Sequence, residues 1–353
     1  MKFDIAKYLR PHILAIKPYS SARDEYSGKI GVFLDANENP YGTLTGEPFN
    51  RYPDPYQLDI KEKLAKIKEV DANQIFLGNG SDEAIDLLMR AFCNPSKDNV
   101  ILLPPTYGMY EVSAAINDVA VKKVNLTADF QLRPDAILEA VDELTKIIFI
   151  CSPNNPSGNK MKRESICEII EKFPGLVVVD EAYIDFSDES SFTTELREYK
   201  NLLVMQTFSK AWGMASLRIG MAFASAEIIR ILNLIKPPYN ISGLTQEKVL
   251  DALAHADEIK RVVFLIQKEK DNLEAQLNQL PFVERIYPSQ ANFLLVKMKS
   301  ARTIYDTLIA DTIILRDRSK VILCEDCLRI SVGKQEENEA LLNALKKIET
   351  EIL

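Results

Sequence analysis

The residues best able to do chemistry lie in Met205-Gln206-Thr207-Phe208-Ser209-Lys210-Ala211-Trp212-Gly213, followed by Leu217-Arg218-Ile219-Gly220. One amine stands among hydroxyls at the end of a hydrophobic run, with a guanidinium close behind. Such a set suits a covalently held, phosphorylated aldehyde: the lysine condenses with the carbonyl, while hydroxyls and arginine take the phosphate. The run Asn201-Leu202-Leu203-Val204-Met205 reads as a buried parallel strand. Thr207, Ser209 and Lys210 would then sit just past its carboxyl end, where open α/β sheets place their ligands. Alone, Lys210 is no more than a loop lysine; the segments upstream make it a candidate Schiff-base residue.

Two further strand-like runs deliver polar groups in the same manner. Leu176-Val177-Val178-Val179 ends at Asp180-Glu181-Ala182-Tyr183, and Lys146-Ile147-Ile148-Phe149-Ile150-Cys151 leads into Ser152-Pro153-Asn154-Asn155-Pro156-Ser157-Gly158. An aspartate beside the ring nitrogen of pyridoxal phosphate keeps that nitrogen protonated, so the ring can accept an electron pair. The Tyr183 phenol and the Asn155 amide suit the ring oxygen. Earlier, Gln74-Ile75-Phe76-Leu77 runs into Gly78-Asn79-Gly80-Ser81-Asp82-Glu83, a helix start whose free N–H groups and dipole favour a phosphate. Gly78-x-Gly80 lacks the third glycine of a dinucleotide fingerprint and no P-loop segment exists, so one small phosphate fits better than a nucleotide. Val100-Ile101-Leu102-Leu103 ends at Pro104-Pro105-Thr106-Tyr107-Gly108-Met109-Tyr110, which places Tyr107 to stack on a heteroaromatic ring.

Positioning these groups requires strands that alternate with helices from about Gln74 to Phe223, the pattern of a mainly parallel sheet covered on both faces. The expected class is therefore α/β. Helical spacing marks Pro55 to Lys68, one long helix from Gln246 to Leu280, and a terminal helix from Glu336 to Leu353. Pro237-Pro238-Tyr239-Asn240 marks a break, and Asn292 to Val296 and Leu328 to Val332 read as strands beyond it. The expected organisation is a large cofactor domain over residues 31–240, an interdomain helix over 241–281 and a smaller α+β domain over 282–353. Residues 1–30 are expected to pack on the small domain and close over substrate.

In order and spacing these segments resemble the fold-type I pyridoxal-phosphate aminotransferases of class II, and within them the histidinol-phosphate aminotransferases. The resemblance spans nearly the whole chain. It also takes in Leu34-Asp35-Ala36-Asn37-Glu38-Asn39-Pro40, Arg51-Tyr52-Pro53-Asp54-Pro55 and Cys327-Leu328-Arg329-Ile330-Ser331-Val332-Gly333. It implies a large domain with a mainly parallel seven-stranded sheet between helices, plus the small α+β domain. It also implies that Lys210 holds the cofactor covalently, Asp180 pairs with the pyridine nitrogen, Asn155 and Tyr183 hold the ring oxygen, and Tyr107 stacks on the ring. Ser81, Asp82, Thr207, Ser209 and Arg218 would contact the phosphate, the first two mainly through backbone N–H groups. Tyr52 would reach the cofactor phosphate of a neighbouring subunit, which makes the protein a homodimer with shared active sites. Substrate recognition falls to Arg329, Arg316, Tyr19 and Asn37. The reaction implied is transamination between L-histidinol phosphate and 2-oxoglutarate in histidine biosynthesis. Ser216 and Ser157 depart from the glycine and threonine common in the family, and neither change removes a catalytic group.

Other classes are disfavoured on bulk properties. With a net charge of −8, nothing suggests the concentrated basic face that nucleic-acid binding needs. Charges scattered through Met1 to Tyr19 and the lack of a long apolar run point to a cytoplasmic chain with neither signal peptide nor membrane anchor. Cys93, Cys151, Cys167, Cys324 and Cys327 are odd in number and scattered, unlike a secreted disulfide framework. Cys324-Glu325-Asp326-Cys327 has redox spacing without a second pair, and His12 and His255 lack a metal-ligand pattern, so packing roles and no metal are expected. No Gly-x-Ser-x-Gly elbow is present. Aromatic amino-acid aminotransferases and threonine-phosphate decarboxylases share the cofactor motifs and remain open as substrate alternatives. A non-catalytic pyridoxal-phosphate sensor is the alternative of another kind, with no appended domain in its favour.

Overall fold

Leu176 and Val178 pack into one apolar cluster and Val177 and Val179 into another, all four fully buried. A run of β-branched residues with both faces covered is the signature of a central strand, and here it is strand β5, Leu176–Asp180. The computed structural model describes residues 3–17 and 31–352. Around β5 it builds a seven-stranded sheet from β1 (Ile75–Gly78), β2 (Asn99–Leu102), β3 (Ala120–Lys123), β4 (Thr145–Cys151), β6 (Leu202–Thr207) and β7 (Gly220–Ala224), in the order β1-β7-β6-β5-β4-β2-β3. Strands β3, β2, β4, β5 and β6 run parallel, so the carboxyl ends of β4, β5 and β6 open on one edge.

Strand β7 is antiparallel to both β6 and β1 and lies between them. The chain returns from β6 through a loop closed by the Phe208 N–H on the Ile219 carbonyl and the Met214 N–H on the Phe208 carbonyl. That return brings Arg218 back beside the loop carrying Lys210. It also slides Gly220 directly under the turn that starts the helix Ser81–Phe92, where any Cβ would collide with the Ser81 backbone. Glycine is required there by space alone.

A second sheet, wholly antiparallel, follows the order β10-β11-β9-β8 with β8 (Val283–Ile286), β9 (Phe293–Met298), β10 (Arg316–Asp317) and β11 (Cys327–Ser331). Its core joins Leu294, Val296 and Ile330 to Leu273 and Leu277 of one helix and Leu341 and Leu345 of the terminal helix, Gln335–Ile352.

Two expectations are corrected. The single helix from Gln246 to Leu280 is two, Gly243–Ala254 and Ile259–Leu277, separated by His255 at φ −112° and a 3-10 turn, Ala256–Glu258. No proline or glycine announces that break. Residues 3–16 pack on the large sheet rather than on the small one: Ile5, Leu9 and Ile13, spaced four apart, join the cluster of Leu88 and Phe92. Arg10 donates its backbone N–H to the Ala91 carbonyl (2.9 Å) and Nη1 to the Arg90 carbonyl (2.8 Å). The apolar stripe simply meets the open flank of that helix first. No helix among the described residues is long and apolar enough to cross a membrane.

Candidate active site

The carboxyl ends of β4, β5 and β6 face the β10–β11 hairpin across a cavity of about 820 Å³. At one end of it stand Ser81, Asp82, Thr207, Ser209 and Arg218; along its wall stand Tyr107, Asn155, Asp180, Tyr183 and Lys210; and the hairpin adds Arg316 and Arg329. Tyr19 lies outside the described residues. Asn37 is exposed, with φ 54°, and does not reach the cavity. Tyr52 is also off the cavity of its own chain, half exposed and stacked on Tyr239 at 4.6 Å.

Asp180 ends β5 with its carboxylate buried. The Ala182 N–H donates to Oδ1 (3.0 Å) and the Tyr110 hydroxyl donates to Oδ2 (2.5 Å). Burial raises the carboxyl to about 6, while the Tyr110 and Ala182 hydrogen bonds pull against that rise. Tyr110 is fully buried and stacked on Phe149 at 4.9 Å; burial first, and then the Asp180 charge, keeps its phenol protonated and hence a donor. Sequence reasoning missed Tyr110. The available signal was a second phenol three residues after Tyr107 at a helix start, a spacing that favours one face. The neighbouring Glu181 is buried too, raised to about 6 by burial, and accepts from the Ser191 hydroxyl (2.5 Å), the Phe192 N–H (2.7 Å) and Gln206 Nε2 (2.9 Å). It ties the Asp180–Tyr183 turn from behind to β6 and to the loop before Phe192.

Lys210 faces the cavity with its ammonium 5.5 Å from the Tyr183 ring centroid. Partial burial, and next the nearby Arg329 charge, lower its pKa and enlarge the share of free amine at neutral pH. Tyr183 is buried edge-on to Phe293, and burial raises its phenol. On the hairpin, Arg329 donates Nη1 to Asn155 Oδ1 (2.6 Å). Asp317 pairs with Arg302 (3.3 Å), so the arginine next to it, Arg316, is not spent on an ordinary surface ion pair with it. Arg318 also lines the cavity, and sequence reasoning missed it although the segment Arg316-Asp317-Arg318 displays the alternation.

These residues fit pyridoxal phosphate. The first N–H groups of a helix have no intrahelical acceptor, and those of Ser81 and Asp82 open the helix Ser81–Phe92 beside the Thr207 and Ser209 hydroxyls. Arg218 completes that pole, 3.6 Å from Asp82 and 3.5 Å from the Ser209 hydroxyl. The Asp82 carboxylate is occupied by Arg218 and by the Tyr107 hydroxyl (3.1 Å). Gly80, at φ +76°, keeps the pole open: a Cβ there would lie 2.7 Å from Arg218 Nη2. The same lining offers a buried carboxylate in Asp180, an aromatic face in Tyr107 and an amine in Lys210. Elsewhere the five cysteines are free, and burial pushes the Cys324 and Cys327 thiols up to about 12, which leaves them inert packing groups at neutral pH. His12 and His255 are exposed, and no metal-binding cluster occurs among the described residues.

The profile of the family described as aminotransferase class I and II matches residues 26–345. The chain is 56% identical to the histidinol-phosphate aminotransferase of Cytophaga hutchinsonii over 98% of its own length and 99% of that relative's. It is 53% identical to that of Parabacteroides distasonis over 98% and 99%. Among solved structures it is similar to histidinol-phosphate aminotransferase from Sinorhizobium meliloti in complex with pyridoxal-5'-phosphate, with a TM-score of 0.80, 23% identity and 90% of each chain covered. L-threonine-O-3-phosphate decarboxylase from Porphyromonas gingivalis is similar as well, with a TM-score of 0.71, 22% identity, and 85% of this chain and 91% of that one covered. Those two structures bear on the fold alone.

The Asp180 environment gives a testable sign. Its folded pKa of about 6 lies above the ordinary 3.8, so the folded state binds the extra proton. The group's favourable contribution is complete below about pH 4 and is lost as the pH rises through 6. Without cofactor, Asp180→Asn is expected to exceed the parent in stability by roughly 3 kcal/mol at about pH 8, with the gap closing near pH 4. Urea unfolding of both proteins at the two pH values measures it, and an equal gap at both would contradict the assignment.

Proposed function

The chain belongs to the class I and II aminotransferase family, and from that premise we propose that it moves the amino group of L-histidinol phosphate to 2-oxoglutarate. The products are 3-(imidazol-4-yl)-2-oxopropyl phosphate and L-glutamate, the cofactor is pyridoxal phosphate, and the setting is histidine biosynthesis. One observation carries the reading: a single cavity is lined by Arg218 with the helix start and, on the hairpin, by Arg316 with Arg329, and the Lys210 amine feels the charge of both Arg329 and Arg218. The first set suits a cofactor phosphate and the second the anion of a substrate. Nearly full-length identity above one half to a relative bearing that activity favours it over the phosphothreonine-decarboxylase reading, which has likeness of fold in its support.

Pyridoxal phosphate, when bound, supplies an electrophilic carbon and a ring that accepts the electron pair released as a bond to the substrate Cα breaks. The chain's residues do the rest. Asp180, kept ionised by the Tyr110 and Ala182 donors, is the counter-charge for a protonated ring nitrogen. Lys210 would hold the cofactor, and its free amine would take the proton from the substrate Cα, a role its lowered pKa favours. Arg316 and Arg329 bind the phosphate of one substrate or a carboxylate of glutamate with the same planar forks. By fixing the anion they set which Cα bond stands across the ring plane.

The reading includes a homodimer of the cytoplasm. Val32, Leu34, Tyr41 and Leu44 expose 89%, 89%, 96% and 107% of their surface in one segment, which is apolar area for a second copy to cover. Tyr52, in the continuation of that segment and off its own cavity, is then available to the partner's phosphate pole. Five unpaired cysteines suit a reducing compartment.

Two outcomes are expected. Adding L-histidinol phosphate without an oxo acid to the cofactor-loaded protein bleaches its visible absorption, and Lys210→Ala abolishes the covalent attachment and nearly all turnover. An unmoved spectrum would redirect the search to other amines, and parental turnover in Lys210→Ala would sink the assignment of that lysine. Sedimentation equilibrium is expected to return about twice the 39.9 kDa chain mass; a monomer at micromolar concentration would remove the shared site.

A further inference from the structure

The β10–β11 hairpin brings more positive charge into the cavity than a carboxylate needs. Arg316 and Arg329 are direct cross-strand partners, an arrangement that destabilises a sheet when the two charges are alike. Arg318 follows Arg316 by two residues and so falls on the same face, and it lines the cavity with the other two. Asp317, on the opposite face, goes to Arg302 and compensates none of them.

The three arginines differ in what already holds them. Arg329 is partly committed to Asn155 Oδ1. The Arg318 backbone is fixed on both sides, its N–H donating to the Cys327 carbonyl (2.9 Å) and its carbonyl accepting from the Val321 N–H (2.8 Å). Its Nε is shut off from solvent and has no hydrogen-bond partner among the described residues, so the rest of the guanidinium is what it presents to the cavity. A rigidly held, partly desolvated guanidinium with two like charges beside it costs stability unless an anion meets the side of it that lines the cavity. A cofactor phosphate has Arg218 and the helix start, so an anion held by the hairpin would be the substrate's.

A carboxylate carries a single charge and two oxygens, and one guanidinium fork satisfies it. A phosphate monoester carries about −1.5 to −2 charges at pH 7 and three acceptor oxygens. We propose that Arg318 is a specificity-determining residue that takes the second charge of the phosphate monoester, making the hairpin a three-arginine clamp that favours a phosphorylated amine over an amino acid. The inference rests on the function proposed above and names the group that sets its substrate preference.

The test is steady-state kinetics of the cofactor-loaded protein and of R318Q, with R318K and R318M beside it. In R318Q the KM for L-histidinol phosphate is expected to rise about tenfold to a hundredfold, the loss that accompanies one charged hydrogen bond, and by about ten times more than the KM for glutamate rises. The inhibition constant of inorganic phosphate competing with glutamate should rise in parallel. R318M keeps the apolar stem and should behave like R318Q, which also covers the case in which the glutamine variant does not fold; R318K should recover part of the loss. Equal rises for both substrates, or unchanged inhibition by phosphate in R318Q and R318M, would overturn the proposal. Should the parent protein fail to turn over histidinol phosphate, the proposed function falls, and the phosphate arm still decides the role of Arg318.

Discussion

A carboxylate buried at the end of a central strand is the constraint on which the rest of the site depends. Asp180 has no cation in hydrogen-bond contact, and an isolated buried charge is among the most costly features a fold can hold. It is tolerable because Tyr110 and the Ala182 amide each donate to one of its oxygens. Tyr110 in turn is held by its stack on Phe149, so β4 braces a residue of β5 through a side chain carried by the helix Met109–Ile116. Burial outweighs those two donors, which is why the Asp180 pKa is raised. Glu181 repeats the device behind the site, where three donors hold a second buried carboxylate and fix the turn from which Tyr183 projects.

Cations dominate the rest of the cavity. The chain has a net charge of −8, yet Lys210, Arg218, Arg316, Arg318 and Arg329 all converge on one cavity. Low-dielectric walls focus such a field and raise the local concentration of anions against the overall charge. The same field acts within the cavity: after burial, the Arg329 charge helps to lower the Lys210 pKa, so the hairpin acts on the amine opposite it. Binding an anion at Arg329 would relax that effect, which couples the occupancy of the far pole to the basicity of Lys210.

Much of this was legible in the sequence because strand ends are. Apolar runs closed by Asn155, Asp180 or Lys210 need no knowledge of strand order to be placed on one edge, since every parallel strand presents its carboxyl end there. What the sequence did not show is what depends on contact rather than on period. The antiparallel course of β7 follows from a closed loop and from the space that Gly220 leaves under Ser81. The helix break at His255 has no breaker residue. Ile5, Leu9 and Ile13 form a plain amphipathic stripe, and nothing in its spacing says which sheet it meets. Tyr110 reads as core until its hydroxyl is seen to end on Asp180. Arg318 reads as surface until the pairing of Arg316 with Arg329 sets the face of the hairpin.

The seating of the second sheet against the large one is set by backbone contact. Gly158, at φ +81°, lies so close to Ser289 that a Cβ would come within 2.5 Å of its hydroxyl, and its carbonyl accepts the Gln290 N–H (2.7 Å). Lys270, buried, donates to the Ser289 carbonyl (2.5 Å) and holds that loop from the other side. The 152–158 turn that carries Asn155 is therefore docked on the loop leading into β9, whose partner strand β11 carries Arg329. The Arg329 hydrogen bond to Asn155 Oδ1 (2.6 Å) closes the same joint from the hairpin side. The backbone thus sets where the hairpin's charge stands, and the arginines set how much of it enters the cavity.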